Sequence, residues 1–185
     1  MIQGMKMLFA RVATLAVLVA SAHLYAQSAL AVPGAPVAKD VPGAKALPNP
    51  DKIYKVVFSI GKPGPDANKV NPALLSVANY VNTLAKYGVP VEHRKIVVMF
   101  HHRGEGWDMI LKNDAHRRLT EGQDNPNIEM IQKLHEAGVD FRVCGQLVVG
   151  RKVKPEDILP EIQTDLWAMT TIVDLQLDGY VHVAM

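Results

Sequence analysis

The chain has a single cysteine, Cys144, and this scarcity excludes a fold stabilised by internal disulfides. One cysteine cannot close an intramolecular bridge, so the fold must rest on a hydrophobic core. The sequence also contains no CxxC or HxxxH pair, and we therefore predict no metal site at its histidines or at Cys144. An unpaired thiol is either buried and inert, paired between subunits, or present for chemistry.

The sequence lacks the motifs of nucleotide and nucleic-acid binding as well. Gly104 and Gly106 resemble a fragment of a phosphate loop, but no complete G-x-G-x-x-G and no P-loop lysine follow. The 20 Lys and Arg face 18 Asp and Glu, and loss of Lys6 and Arg11 with a leader would balance the two signs. A neutral chain offers no electrostatic footprint for nucleic acid. We expect no cofactor and no nucleic-acid partner.

The amino-terminal apolar run is too short for a membrane anchor. After Lys6 and Arg11 it covers residues 12–22, about half of the roughly 20 residues that a bilayer requires. A basic start, a short apolar run and small residues form the pattern of a secretory signal peptide. We predict a signal peptide over residues 1–26 and a mature start near Gln27, the other small-residue cleavage points being Ala22 and Ala31.

A lipid anchor would need a cysteine at the cleavage point, and Cys144 lies far downstream. We therefore expect a periplasmic or secreted protein with no stable membrane anchor. Residues 27–51 are rich in Pro and show no hydrophobic period, which is typical of a flexible or partly extended linker. Such a linker can tether the domain or wrap a neighbouring subunit.

From residue 52 onward, apolar β-branched runs alternate with helical patterns. The predicted strands are residues 53–60, 93–100, 139–143 and 180–184. The predicted helices are residues 72–87, 107–112, 126–137, 155–159 and 167–177. This alternation predicts one α/β domain over residues 52–185, with a mainly parallel sheet and helices on both faces, in a flavodoxin-like layering.

His101 and Cys144 follow predicted strands, at the edge where parallel sheets present reactive groups. Gly145 next to the cysteine allows close approach of a ligand, and amides that face the sulfur favour a thiolate. A histidine at this edge can transfer a proton. The competing interpretations are a buried structural cysteine and a hydrogen-bonded surface histidine.

The ordered segments resemble the DsrE/DsrF-like family of sulfur-relay proteins and their relatives. The resemblance runs from Tyr54 to Met185, and its strongest parts are residues 124–134, residues 137–146 (AGVDFRVCGQ) and residues 175–183. Cys144 matches the family's cysteine, and His101 matches a histidine often found after the second strand. The chain departs from the family pattern in its export signal, in the apolar residues 147–150 and in the residues that follow His101.

The resemblance implies a domain that assembles into trimers or hexamers and a cysteine that carries sulfur as a persulfide. Cys144 and His101 are thus the expected catalytic residues, and a protein sulfur donor or acceptor is the expected partner. The residues that we expect to contact a ligand are Gly145, Gln146, Asn125 and His102. The alternative is an oligomeric ligand-binding or structural module in which the cysteine is incidental.

Overall fold

The computed structural model describes residues 30–101, 106–120 and 122–185. The predicted signal peptide and His102 lie outside the described residues. The strands are β1 (Tyr54–Ile60), β2 (Arg94–Phe100), β3 (Asp140–Cys144), β4 (Ile162–Asp165) and β5 (Val181–Ala184). The helices are α1 (Pro72–Lys86), α2 (Asn113–Leu119), α3 (Ile128–Glu136), α4 (Gly145–Gly150) and α5 (Ala168–Leu177). Within these ranges, no helix is long and apolar enough to span a bilayer.

All the strands pair in parallel, in the order β4-β3-β2-β1-β5. The chain builds the sheet outward from β1 to β4 and then returns to place β5 beside β1. In β2, residues 96–100 are continuously buried, as expected of a central parallel strand that is covered on both faces. The predicted α/β class with a parallel sheet is confirmed.

Helices lie on both faces of the sheet, and the edge strand β5 stays exposed. Phe58 of β1 meets Tyr80 of α1 edge to face, with ring centroids 5.5 Å apart, which places α1 on the Phe58 face. Cys144 of β3 contacts Ala168 of α5. The strand registers and the alternation of side chains put Cys144 on the face opposite to Phe58. Helix α5 therefore lies on the Cys144 face.

The helix α1 follows the sequence signals closely. Asn71 caps it by accepting a hydrogen bond from the Ala73 amide at 2.8 Å, and Pro72 occupies the first turn, where its missing N–H costs nothing. Gly88, with a φ of +80°, follows the end of the helix. The capping residues and the apolar stripe thus both predict the helix α1 that the structure shows.

Other elements differ from the predictions. Residues 107–112 and 155–159 were expected to be short helices, but they form only 3-10 turns at Trp107–Ile110 and Pro155–Asp157. The strand β4 is unexpected because Ile162 is its one buried residue, which leaves no alternation to recognise. The helix α4 is unexpected because Gly145 and Gly150 bound it and suggest a loop.

The first part of the predicted linker packs against α1, and we name residues 30–40 the amino-terminal strap. Asn82 of α1 is fully buried, and its side-chain oxygen accepts a hydrogen bond from the Val32 amide at 2.7 Å. Its side-chain nitrogen donates to the carbonyl oxygens of Val32 and Pro36, each at 3.0 Å. Val32 itself has no exposed surface and belongs to the core.

The strap continues along α1 beyond Asn82. The Ala38 amide donates to the Thr83 hydroxyl at 3.1 Å, and the Lys86 ammonium pairs with the Asp40 carboxylate at 2.7 Å. The surface ion pair adds little stability. Loss of the strap would instead break the buried hydrogen bonds between Asn82 and the strap backbone. Residues 30–40 are therefore part of the packed domain.

We expect Asn82→Ala to lower the free energy of unfolding by about 1–3 kcal/mol, because it leaves the buried backbone groups of the strap unpaired. Urea denaturation of the mature protein measures this loss, and limited proteolysis should show faster cleavage within residues 30–51. Ser76→Ala is the control and should leave the strap protected, because the exposed Ser76 hydroxyl bonds the Pro72 carbonyl of the same helix. A strap that resists protease equally in both variants would contradict its anchoring by Asn82.

Candidate functional site

Cys144 is the last residue of β3 and the residue from which α4 begins. Its side chain is a free thiol with 6% of the residue exposed. The structure thus combines both sequence interpretations, because the cysteine occupies the expected edge of the sheet and is buried there.

The sulfur lies at the start of α5. The amide of Ala168, the first residue of that helix, donates a hydrogen bond to the Cys144 Sγ at 3.3 Å. The first amides of a helix have no partner within the helix, and they carry the positive end of its dipole. This arrangement places partial positive charge beside the sulfur, where it stabilises a negatively charged form more than a neutral one.

His101 is the neighbour of Cys144 along the carboxyl edge. The β2–β3 register ends with Phe100 beside Val143, and one further step brings His101 and Cys144 side by side, on strands about 4.8 Å apart. The His101 amide donates to the Ile60 carbonyl at 3.1 Å, which continues the backbone pairing with β1 through this residue. The register therefore places the two expected catalytic residues at neighbouring backbone positions on this edge, and their joint role stays a prediction.

Gly145 has a structural task that the sequence did not indicate. A Cβ atom at this position would lie 2.7 Å from the Asp165 carbonyl oxygen and 3.1 Å from that of Leu166. Gln146 binds the same turn, because its side-chain amide donates to the Leu166 carbonyl at 3.1 Å. Both residues join the end of β3 to the chain that leaves β4, and a ligand-binding role for them stays a prediction.

Asn125 is buried, and its side chain is engaged by the backbone. Its side-chain nitrogen donates to the carbonyl oxygens of Met109 at 2.9 Å and Leu111 at 2.7 Å. Its side-chain oxygen accepts from the Asn127 amide at 3.0 Å. These bonds hold a 3-10 turn against the start of α3, so the structure gives Asn125 an internal role. His102 lies in the part of the chain that the structure leaves undescribed.

Sequence reasoning missed a polar cleft beside the cysteine. The cleft has a volume of about 510 Å³, and its lining includes Arg142, Asp165, Thr171, Asp174 and Asp178. Asp165 is the register partner of Cys144 on β4. The pairing of β3 with β4 brings Arg142 and Asp165 together, and the packing of α5 adds Thr171, Asp174 and Asp178.

Arg142 and Asp165 of the cleft are paired with each other. The Arg142 guanidinium donates to Asp140 at 2.7 Å and 2.9 Å and to Asp165 at 3.4 Å. Burial acts to lower the pKa of Arg142, but the hydrogen bonds and charges of Asp140 and Asp165 outweigh it and raise the pKa. Among the described residues, no three His, Cys, Asp or Glu side chains are grouped as a metal site.

The fold and the edge define a parallel α/β protein with one cysteine at the carboxyl ends of its strands. The sequence model of the DsrE/DsrF-like family matches residues 52–185, and the chain belongs to that family. Among solved structures it is similar to MTH1491 of Methanobacterium thermoautotrophicum, a protein of unknown function, with 17% identity and a TM-score of 0.47. That match covers 71% of this chain and 99% of the other. No curated protein matches the chain.

We expect Gly145→Ala to destabilise the domain by about 1–3 kcal/mol, because the new methyl group must displace a backbone carbonyl at the end of β4. Thermal or urea unfolding measures the change. Gly150→Ala is the matched control, since nothing lies within 4 Å of a Cβ atom there. Equal stability of the two variants would rule out the close approach at Gly145.

Proposed function

We propose that this protein is a sulfur carrier that holds sulfane sulfur as a persulfide on Cys144. The observation that carries the proposal is the Ala168 amide, which donates to the Cys144 Sγ at the start of α5. Membership of a family associated with sulfur relay gives that geometry its chemical context. His101, the neighbour along the sheet edge, is the candidate for moving the proton.

The proposed step is a displacement at sulfur that needs no added oxidant. The Cys144 thiolate attacks a sulfur atom of a polysulfide or of a protein persulfide, and a new S–S bond forms on Cys144. The old S–S bond breaks, and its electron pair leaves with the shortened donor. The thiol proton passes to His101 or to water, and a partner thiolate later removes the carried sulfur by the same reaction in reverse.

The burial of Cys144 favours a second candidate function. With 6% of the residue exposed, the thiol is open only to small donors or to partners that loosen the edge of the sheet. An oligomeric ligand-binding or structural module would keep such a cysteine without using it. Native reactivity toward a small sulfur donor separates the two functions, because an incidental cysteine reacts only when the domain unfolds.

The proposal extends to the location of the protein, which is the periplasm or the cell exterior. Its support is the sequence pattern of residues 1–26, and the position of the strap bears on the cleavage point alone. A mature chain that begins near Gln27 keeps Val32 and the rest of the strap in place on Asn82. A chain that begins at Val32 would instead put a charged amino group at a buried position.

The proposed assembly is a homo-oligomer built on the outer face of α5. Its apolar residues Met169, Val173 and Leu177 are spaced four residues apart, and 48–81% of each is exposed. Leu166, in the turn before the helix, is also exposed. The buried residues Ala168 and Leu175 lie on nearly the opposite side of the helix. A helix that is apolar on two sides is typical of one that is buried on both, and a second copy supplies the missing cover.

We expect the mature protein to gain about 32 Da, one sulfur atom, after treatment with polysulfide and removal of the excess, and to lose it with a reductant. Cys144→Ser should abolish the adduct. His101→Ala should slow its formation without moving it, because the proton then leaves through water alone. Intact-mass spectrometry over time measures both effects.

His93→Ala is the control for His101, since His93 is also half-buried, lies before the start of β2 at the other end of that strand, and bonds the Pro50 carbonyl through its ring. It should leave sulfur uptake unchanged. A native protein that takes up no sulfur, or whose Cys144 resists a small alkylating reagent until unfolding, would exclude the carrier function. The binding or structural module would then be the function that remains.

We expect Leu177→Asp to shift the protein from an oligomer to smaller species, because it places a charge in the apolar stripe of α5. Sedimentation velocity at micromolar concentration measures the species. Val149→Asp, at the end of α4, is the matched control, since Val149 is 74% exposed and Leu177 is 81% exposed. A wild-type protein that sediments as a monomer would contradict the assembly.

A further inference from the structure

The geometry points to Asp165 and Thr171 as a positioning pair that holds the start of α5 against the Cys144 sulfur. The inference rests on the proposed function, because it concerns the same sulfur, and it adds residues to which nothing so far gives a role. Neither side chain is needed in the displacement step itself. Their task is to fix where the Ala168 amide lies.

The first step of the argument is the way in which α5 begins. Its preceding residue, Trp167, is extended and forms no side-chain cap. The Thr171 hydroxyl, in the next turn, instead donates to the Asp165 carboxylate at 2.9 Å. This bond ties the helix to the end of β4, across the turn that contains the donor amide of Ala168.

The second step is the anchoring of Asp165 itself. Its carboxylate is 10% exposed, and it accepts from Gln163 at 2.6 Å and from Arg142 at 3.4 Å. Its backbone carbonyl oxygen lies close to Gly145, where a Cβ atom would be only 2.7 Å away. Asp165 is thus fixed to β3 on one side and to α5 on the other, and it is the register partner of Cys144. A shift of Asp165 must change the distance between the sulfur and the helix.

The third step separates positioning from direct charge. A carboxylate close to the sulfur disfavours a thiolate, so the charge of Asp165 opposes the effect of its hydrogen bond. Among the residues that the structure describes, the other ionisable side chains around the site are Asp140 and Arg142 of β3, Asp174 of α5, Asp178 just after that helix, and His101 beyond β2. Thr171 is uncharged, and replacing its hydroxyl tests the tie while every charge stays in place.

The test compares alkylation of Cys144 by iodoacetamide at about pH 7 with that at about pH 10, where an ordinary thiol is ionised. The rate at pH 7 divided by the rate at pH 10 reports stabilisation of the thiolate. A change in the access of the reagent to the sulfur alters both rates alike. We expect Thr171→Val to lower this ratio about threefold or more. This is the effect expected when the positive end of a helix dipole moves away from a nearby anion. Thr171→Ser keeps the hydroxyl and should restore the ratio.

Two further variants set the scale. Ala168→Pro removes the donor N–H at a position where helices accept proline, and Trp167 before it is already extended, so the ratio should fall about tenfold. Thr170→Val is the matched control, because the Thr170 hydroxyl bonds the Trp167 carbonyl within its own turn. Its ratio should equal that of the wild type.

The outcomes are distinct from those for sulfur uptake. A ratio that is unchanged in Thr171→Val, or two rates that change in parallel, would overturn the positioning role even if the persulfide forms. A lowered ratio that Thr171→Ser restores would support the role even if polysulfide adds no sulfur. In that second case the carrier function fails, and the electrostatic control of the sulfur remains.

Discussion

A parallel sheet is stable when both of its faces are covered. On the face that carries Cys144, α5 packs against the sheet beside the cysteine. The helix follows β4 at one edge of the sheet and leads into β5 at the other, so its path is set by the return of the chain. Its first amide then meets the cysteine sulfur, and its outer side carries the apolar stripe. The electrostatics of the site and the proposed assembly therefore depend on the seating of one helix.

That seating depends in turn on how closely β3 and β4 approach at their ends. The Asp165 carbonyl occupies the space in which a side chain of residue 145 would stand, so only glycine allows the approach. The glycine beside the cysteine would, in a free-standing loop, suggest room for a ligand. Here the backbone carbonyls of Asp165 and Leu166 occupy this space, and their contacts with Gly145 fix the position of the neighbouring Cys144.

The sequence predicted the elements whose burial is continuous and whose ends are capped. The apolar runs of β1 and β2 and the Asn71-Pro72 start of α1 are local signals, and the structure confirms them. The surroundings of the sulfur could not be predicted in this way. Nothing local in the sequence marks Asp165 or Thr171, and Asp165 comes beside Cys144 only through the pairing of β4 with β3. The sequence predicts a linker over residues 27–51 for a similar reason, because the contacts of the strap with α1 form only in the folded domain. The one sequence signal of the strap was Asn82, a polar residue within the buried stripe of α1.

Burial and hydrogen bonding act on Cys144 in opposite directions, and their balance decides what the site can do. Burial disfavours a charged sulfur, whereas a donated amide is worth about twice as much to an anion as to a neutral group. A thiol that stayed neutral would gain little from the Ala168 amide, because sulfur is a weak acceptor. In the proposed persulfide, the charge would lie on the outer sulfur, about 2 Å beyond the Cys144 sulfur and away from that amide. His101 follows β2 at the same edge of the sheet, so under the proposed function it is the candidate to meet that charge.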